Sequence, residues 1–203
     1  MKIKIDVGDG SNVFFISDFH LFHNNVIKFD NRPFIKKDGT PDVQAMHRVI
    51  IDNWNDVVTD KDTVFYLGDL CFGRSEWANE VIFALRGKIH YIMGNHDKHK
   101  DIVGYKRFES VNDYVDLNIL NSGYQGDLHF ALMHYPIYSW NRAHHGSYMI
   151  HGHSHMSISN DVFCENKRIF DVGCNGWDYT PVSYKKIIEI GNDVDFKLTT
   201  KHH

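Results

Sequence analysis

No apolar stretch in the sequence approaches the length of a membrane span. The opening residues, MKIKIDVGDGSN, hold neither the apolar core nor the cleavage site of a signal peptide. Both absences point to a cytoplasmic protein with no membrane partner. Cysteine is scarce: Cys71, Cys164 and Cys174 are odd in number, far apart and form no CxxC pair. That excludes a zinc knuckle and leaves three small residues expected to be reduced. Positive charge is also lacking, with 22 Lys and Arg against 26 Asp and Glu and a net charge of -4. A protein that coats nucleic acid through a global basic field is excluded, so any nucleic-acid substrate must be gripped locally. Internal repeats and low-complexity stretches are absent as well.

What is present is a chain of ordinary globular composition, long enough for one domain over residues 1–203. Histidine stands out, with 15 residues. His202 and His203 follow Lys201 and read as the start of a purification tag; the remaining histidines need another reason. Imidazole is the commonest metal ligand and the usual acid–base group near neutral pH.

Short apolar, β-rich runs predict strands at residues 13–17 (VFFIS), 63–67 (TVFYL), 88–93 (KIHYIM), 128–133 (LHFALM), 148–151 (YMIH) and 168–172 (RIFDV). Residues 184–190 and 194–198 read as a terminal hairpin around a turn of Gly191, Asn192 and Asp193. A helix is expected over residues 41–58, capped by Thr40, with Pro41 at its first position and a core stripe of Val43, Met46, Ile50, Trp54 and Val57. A second is expected over residues 76–86, capped by Ser75 and stopped by Gly87, with Trp77, Val81 and Leu85 on its buried face. Residues 31–39 and 98–112 read as surface loops. Strands alternating with helices predict an α/β fold whose sheets are covered by helices.

One regularity carries the functional argument. Ligand-type residues follow successive apolar runs: Asp18 and His20; Gly68 and Asp69; Gly94, Asn95, His96 and Asp97; His134; and Gly152, His153 and His155. In open α/β sheets, ligands bind beyond the carboxyl ends of strands, so these ends would deliver the residues to one cleft. Carboxylate, imidazole and amide oxygen suit manganese, iron, zinc, nickel or cobalt. Seven such ligands are too many for one ion and suit two sharing a carboxylate, roughly 3.5–4 Å apart.

The ordered set Asp18-x-His20, Gly68-Asp69, Gly94-Asn95-His96-Asp97, His134 and Gly152-His153-x-His155 resembles the calcineurin-like metallophosphoesterase superfamily. The stretches SDFHLFHNNVIKFDNRPF and DVGCNGWDYTPVS are similar to a small bacterial and phage branch of it. The resemblance implies a two-sheet mixed β sandwich flanked by helices, in four αββα layers. It also implies two divalent ions, manganese first among the candidates. Asp18, His20 and His155 would hold one, Asn95, His134 and His153 the other, and Asp69 would bridge them. Hydroxide shared by the ions would attack a phosphate ester in line, and His96 would give a proton to the leaving oxygen without binding metal.

Around that set, His23 could touch substrate phosphate or merely pack beside the site, and Arg32 could form a phosphate fork or lie exposed in its loop. Asp97 is expected to brace its turn and His151 to end a strand inside the sheet. Arg142, His144, His145, Lys98, His99 and Lys100 read as solvated residues; Asn175 and Trp177 could line the pocket or turn the chain. The resemblance to protein phosphatases is poor, because GDLCFGR stands where that branch needs GDxxDRG. A small phosphodiesterase acting on nucleotides or nucleic-acid ends fits best. A phosphomonoesterase is the alternative, and a catalytically silent metal-binding scaffold a more distant one. No protein partner is evident.

Overall fold

Apolar runs with both faces buried build the centre of the molecule. The computed structural model describes residues 1–72, 75–98, 102, 106–157 and 168–192. Every residue of β2 (Val13–Ile16) and β3 (Thr63–Tyr66) is buried, as expected of strands covered on both faces. Period-two alternation splits each strand between two cores. Phe15 and Phe65 point into one cluster; Phe14, Ile16, Val64 and Tyr66 point into the other.

β2, β3, β4 (Lys88–Ile92) and β5 (Phe108–Asn112) pair in parallel, and the short β10 (Val182–Ser183) joins β2 antiparallel. This first sheet has the order β10-β2-β3-β4-β5. The second runs β1-β6-β7-β8-β9, from β1 (Lys2–Asp6), β6 (Tyr114–Leu120), β7 (Leu128–Met133), β8 (Tyr148–His151) and β9 (Ile169–Asp171). β6 and β7 are antiparallel and the other pairs parallel. Both sheets are thus mixed, and they face each other across the cluster of Phe15, Phe65, Leu117, Phe130 and Ile150. The architecture is a two-sheet α/β sandwich.

Helices α1 (Asn24–Phe29), α2 (Val43–Val57) and α3 (Ser75–Ala84) cover the outer face of the first sheet through Val26, Met46, Ile50, Trp54, Val81 and Leu85. On the second sheet, Trp140 packs against Ala131 and Met149. Among the described residues, no helix is long and apolar enough to cross a membrane.

Several expectations need correction. Helix α2 is capped by Asp42, which accepts the Ala45 N–H at 2.9 Å, and not by Thr40 two residues earlier. Val57 is exposed at its end, and Val58, where the backbone turns extended, takes the buried place. Trp77 is 51% exposed, beside Phe22, so α3 buries a narrower stripe than expected. Residues 108–112 form β5, not a loop. Residues 184–190 belong to helix α4 (Tyr184–Asn192), not to a hairpin. Its β-branched isoleucines suggest a strand, but the buried set Tyr184, Ile187, Ile188 and Gly191 follows the helical spacing of three and four. Residues 194–198 lie outside the described residues, as do Cys164, His99 and Lys100.

Candidate metal centre

Five parallel strand ends converge. β2 leads into Asp18 and His20, β3 into Asp69, β4 into Asn95 and His96, β7 into His134, and β8 into His153 and His155. The backbone there is unusual. Asp18 (φ 61°), His20 (φ 48°), Asp69 (φ 57°), His153 (φ 68°) and His155 (φ 47°) all occupy the left-handed region that residues with a Cβ avoid. Strain concentrated at one spot marks a site the surrounding structure is built to hold. The glycines before these residues have a steric reason. Gly68 has φ +93° and a Cβ there would lie 2.6 Å from Gly94, because the two loops cross.

The cleft has a buried floor and an open rim. Asp18, His20, Asp69 and His134 are buried; Asn95, His96 and His153 are exposed. Asp69 Oδ2 lies 3.7 Å from His20 Nε2 and 3.5 Å from His134 Nε2. On one side of it, His155 Nε2 is 3.0 Å from His20 Nε2 and 3.7 Å from Asp18 Oδ1. On the other, Asn95 Oδ1 is 2.9 Å from His134 Nε2 and 2.8 Å from His153 Nδ1.

These contacts fit a cation better than they fit one another. His134 Nδ1 donates to Leu67 O at 2.7 Å, which leaves Nε2 a bare lone pair facing an amide oxygen. Asp18 Oδ2 accepts from Ser17 Oγ at 2.7 Å and from the His153 N–H at 3.0 Å. Asp18 Oδ1 is buried with no hydrogen-bond partner and faces His20 and His155. An orphaned carboxylate oxygen among imidazole nitrogens is what a divalent cation satisfies. Asp18, His20 and His155 could hold one ion, and Asp18, Asp69 and His134 offer ligand atoms close enough to hold another.

Electrostatics tell the same story. Burial pushes the Asp18 carboxyl up to about 6, and burial with repulsion from His155 and Arg32 drives His20 down to about 2. His155 is raised despite its burial, because it donates to Asp30 and faces Asp18. His153 is lowered by burial and by His134.

His96 projects beside these residues. Its backbone N–H donates to Asp69 Oδ1 at 2.8 Å and its ring lies 5.6 Å from His20. Asp97 braces the turn, accepting from the Asp69 N–H at 3.0 Å, the Gly94 N–H at 2.7 Å and the Tyr91 hydroxyl at 2.7 Å. His23 sits at the rim, its ring 4.2 Å from exposed Phe72 and its Nδ1 buried without a partner.

Arg32 is the main correction. It is neither a phosphate fork at the rim nor an exposed loop residue. Its side chain is fully buried beneath the cleft and spends its donors on Asp30, Phe19 O and Asp18 O. His151 ends β8 inside the sheet, with Nδ1 on Gly152 O. Trp177 turns the chain, donating to Asp171 O at 2.9 Å. Arg142, His144 and His145 belong to a 3-10 turn elsewhere, where His145 lines a separate cavity of about 310 Å³ with Tyr148 and Arg168. None of the candidate ligands lines that cavity.

Sequence reasoning missed Asp30, Asp171 and Phe72. Asp171 accepts from Ser154 Oγ and from the Met156 N–H at 2.9 Å, bracing the loop that carries His153 and His155. Asp30 lies two residues before Arg32 within FDNRPF, and that spacing was its signal. Phe72 lies in GDLCFGR, which was weighed only against another motif.

The fold and site define a two-sheet α/β protein with an Asp/His/Asn cleft at its strand ends. The chain belongs to the family of the uncharacterized protein MJ1445 of Methanocaldococcus jannaschii, with 35% identity over 182 residues, 88% of this chain and 90% of that protein. It is also similar to the Gene 66 proteins of Mycobacterium phages L5 and D29, each 26% identical over 209 residues and 91% of this chain, covering 96% and 98% of those proteins. The crystal structure of AQ665, a protein of unknown function from Aquifex aeolicus, shares the fold with a TM-score of 0.66 and 24% identity, over 89% of this chain and 99% of that one. No family model matches the chain.

Proposed function

We propose that the protein is a metal-dependent phosphoesterase of the calcineurin-like kind, with two divalent ions, manganese first, or iron, zinc, nickel or cobalt. The observation that carries this reading is the position of Asp69 Oδ2, within 3.7 Å of His20 Nε2 on one side and 3.5 Å of His134 Nε2 on the other. A carboxylate between two imidazole-bearing groups suits a bridge. Bound ions would supply a water acidified toward neutrality and positive charge against the phosphate oxygens. The two packed sheets and the helical layer over the first support the αββα arrangement the resemblance implies.

The chain's own residues divide the remaining work. Asp18, His20 and His155 hold one ion; Asn95, His134 and His153 hold the other. Exposed His96, fixed through its backbone to Asp69, gives a proton to the leaving oxygen. The filled ligand set and a histidine left over for proton transfer favour an enzyme over a scaffold. A diester of a nucleotide or nucleic-acid end is the proposed substrate, with a phosphomonoester second.

The test is turnover of an aryl phosphodiester by protein loaded in turn with manganese, iron, zinc, nickel and cobalt. Metal-dependent hydrolysis is expected. Stoichiometric metal uptake without turnover of any phosphate ester would return the chain to the scaffold reading.

A further inference from the structure

Beneath the cleft lies an ion pair that the phosphoesterase reading does not use. Asp30 follows helix α1 as its C-cap, and its Oδ2 accepts from His155 Nδ1 at 2.8 Å. The same oxygen accepts from Arg32 at 2.9 Å (Nη2) and 3.2 Å (Nε). Arg32 then reaches in the other direction: Nη1 donates to Phe19 O at 2.8 Å and Nη2 to Asp18 O at 2.9 Å. Its own backbone N–H is anchored on Ile27 O at 2.8 Å. The guanidinium therefore joins three pieces of chain far apart in sequence: the loop after β2, the end of α1 and, through Asp30, the loop after β8.

Each joint has a chemical consequence. A carboxylate only accepts, so the His155–Asp30 contact requires the proton on Nδ1 and leaves Nε2 as a lone pair. That Nε2 is the atom facing Asp18 Oδ1 and His20 Nε2. Arg32, by holding the carbonyls of Asp18 and Phe19, fixes the strained turn that presents Asp18 and His20. A guanidinium can do this because its donors leave in several fixed directions; a lysine ammonium would not span both sides with the same geometry.

We propose that Asp30 and Arg32 are positioning residues that set the tautomer of His155 and hold the loops after β2 and β8 in register, so that Asp18, His20 and His155 form one preorganised cation site. The inference takes from the preceding reading only that this group holds a divalent ion. Outer-shell carboxylates of this kind are typically worth 10–100-fold in metal affinity.

Two measurements test it, neither requiring activity. The first is ¹⁵N NMR of the His155 imidazole in chelator-treated protein. The wild type is expected as the Nδ1–H tautomer, Asp30→Asn should keep it because the amide oxygen still accepts, and Asp30→Ala should lose it. The second is zinc or cobalt titration. Asp30→Ala and Arg32→Lys are expected to weaken one ion about 10–100-fold and leave the other unchanged. An Nε2–H tautomer in the wild type, or wild-type binding of both ions by Asp30→Ala, would overturn the proposal. Should Arg32→Lys fold poorly, the paired Asp30 variants still decide it. A wild type that takes up no ion would sink the phosphoesterase reading, and the tautomer measurement would still decide the positioning of His155.

Discussion

His96 is tied to Asp69 by its backbone and not by its ring: its N–H donates to Asp69 Oδ1 at 2.8 Å, while the other carboxylate oxygen faces His20 and His134. One carboxylate thus serves the candidate ions and places the candidate acid, so the roles can be separated by substitution.

Asp69→Asn should retain the fold, because an amide oxygen can still accept the His96 N–H. It should lose both metal affinity and turnover, since the negative charge between His20 and His134 is gone. Elemental analysis and a manganese-saturated assay would check this; near-normal activity of the variant would refute the bridging role.

His96→Ala should keep its metal stoichiometry, since the exposed His96 ring is not among the candidate ligands. Turnover should fall within roughly 10²–10⁴-fold. The loss should be larger for an ester with an unactivated alkoxide leaving group than for a nitrophenyl ester, which needs little proton help. Equal losses for both esters would assign His96 to charge stabilisation, and loss of an ion would make it a ligand.

Aryl phosphodiesters should be hydrolysed at least as well as monoesters. The arginine of the protein-phosphatase motif, which would grip a doubly charged monoester, is missing from GDLCFGR as that motif places it, and Arg32 is buried among its own partners. Matched rates for the two classes at one pH and metal would measure the preference. A strong monoester preference would reverse it.

Acid should destabilise the protein through His47, away from the cleft. Its Nε2 accepts the Phe22 N–H at 3.2 Å, which requires a neutral ring, and burial lowers its pKa from 6.5 to about 4. Folded His47 resists protonation that the unfolded chain accepts. Its contribution is therefore intact above pH 6.5 and is lost progressively down to about pH 4. The unfolding midpoint of His47→Gln, which keeps an acceptor without titrating, should fall less steeply across that window than the wild type's. Parallel slopes would exclude His47 as a contributor.

How far the sequence was legible depended on what each residue's burial obeys. The runs at β2 and β3 were readable because both faces are buried and every position is apolar. β6 was equally regular, with Val115, Leu117 and Ile119 buried in alternation, yet Asp116 and Asn118 between them interrupt the run. Helix α4 misled because isoleucine's preference for strands competes with helical spacing, and tertiary packing against Tyr148 decided it: a Cβ on Gly191 would come 2.7 Å from that ring. In the cleft, the residues that converge on it were readable from motif order. The Asp30–Arg32 couple was not, since nothing local says that an arginine beside a proline turns inward; that is set by the Asp18 and Phe19 carbonyls, residues close in space and outside its loop.

The cleft draws on both sheets. Asp18, His20, Asp69 and Asn95 hang from the first; His134, His153 and His155 hang from the second. Each sheet can keep its own ladder intact without the cleft existing, because the cleft is defined only by how one sheet is seated on the other. Any ion held there acts as a rivet across the seam and adds stability by mass action, in proportion to RT ln(1 + [L]/Kd). Partial slippage of the sandwich would expel the ions before a single strand came apart, so metal release would report on sheet-to-sheet seating while far-UV circular dichroism stayed silent.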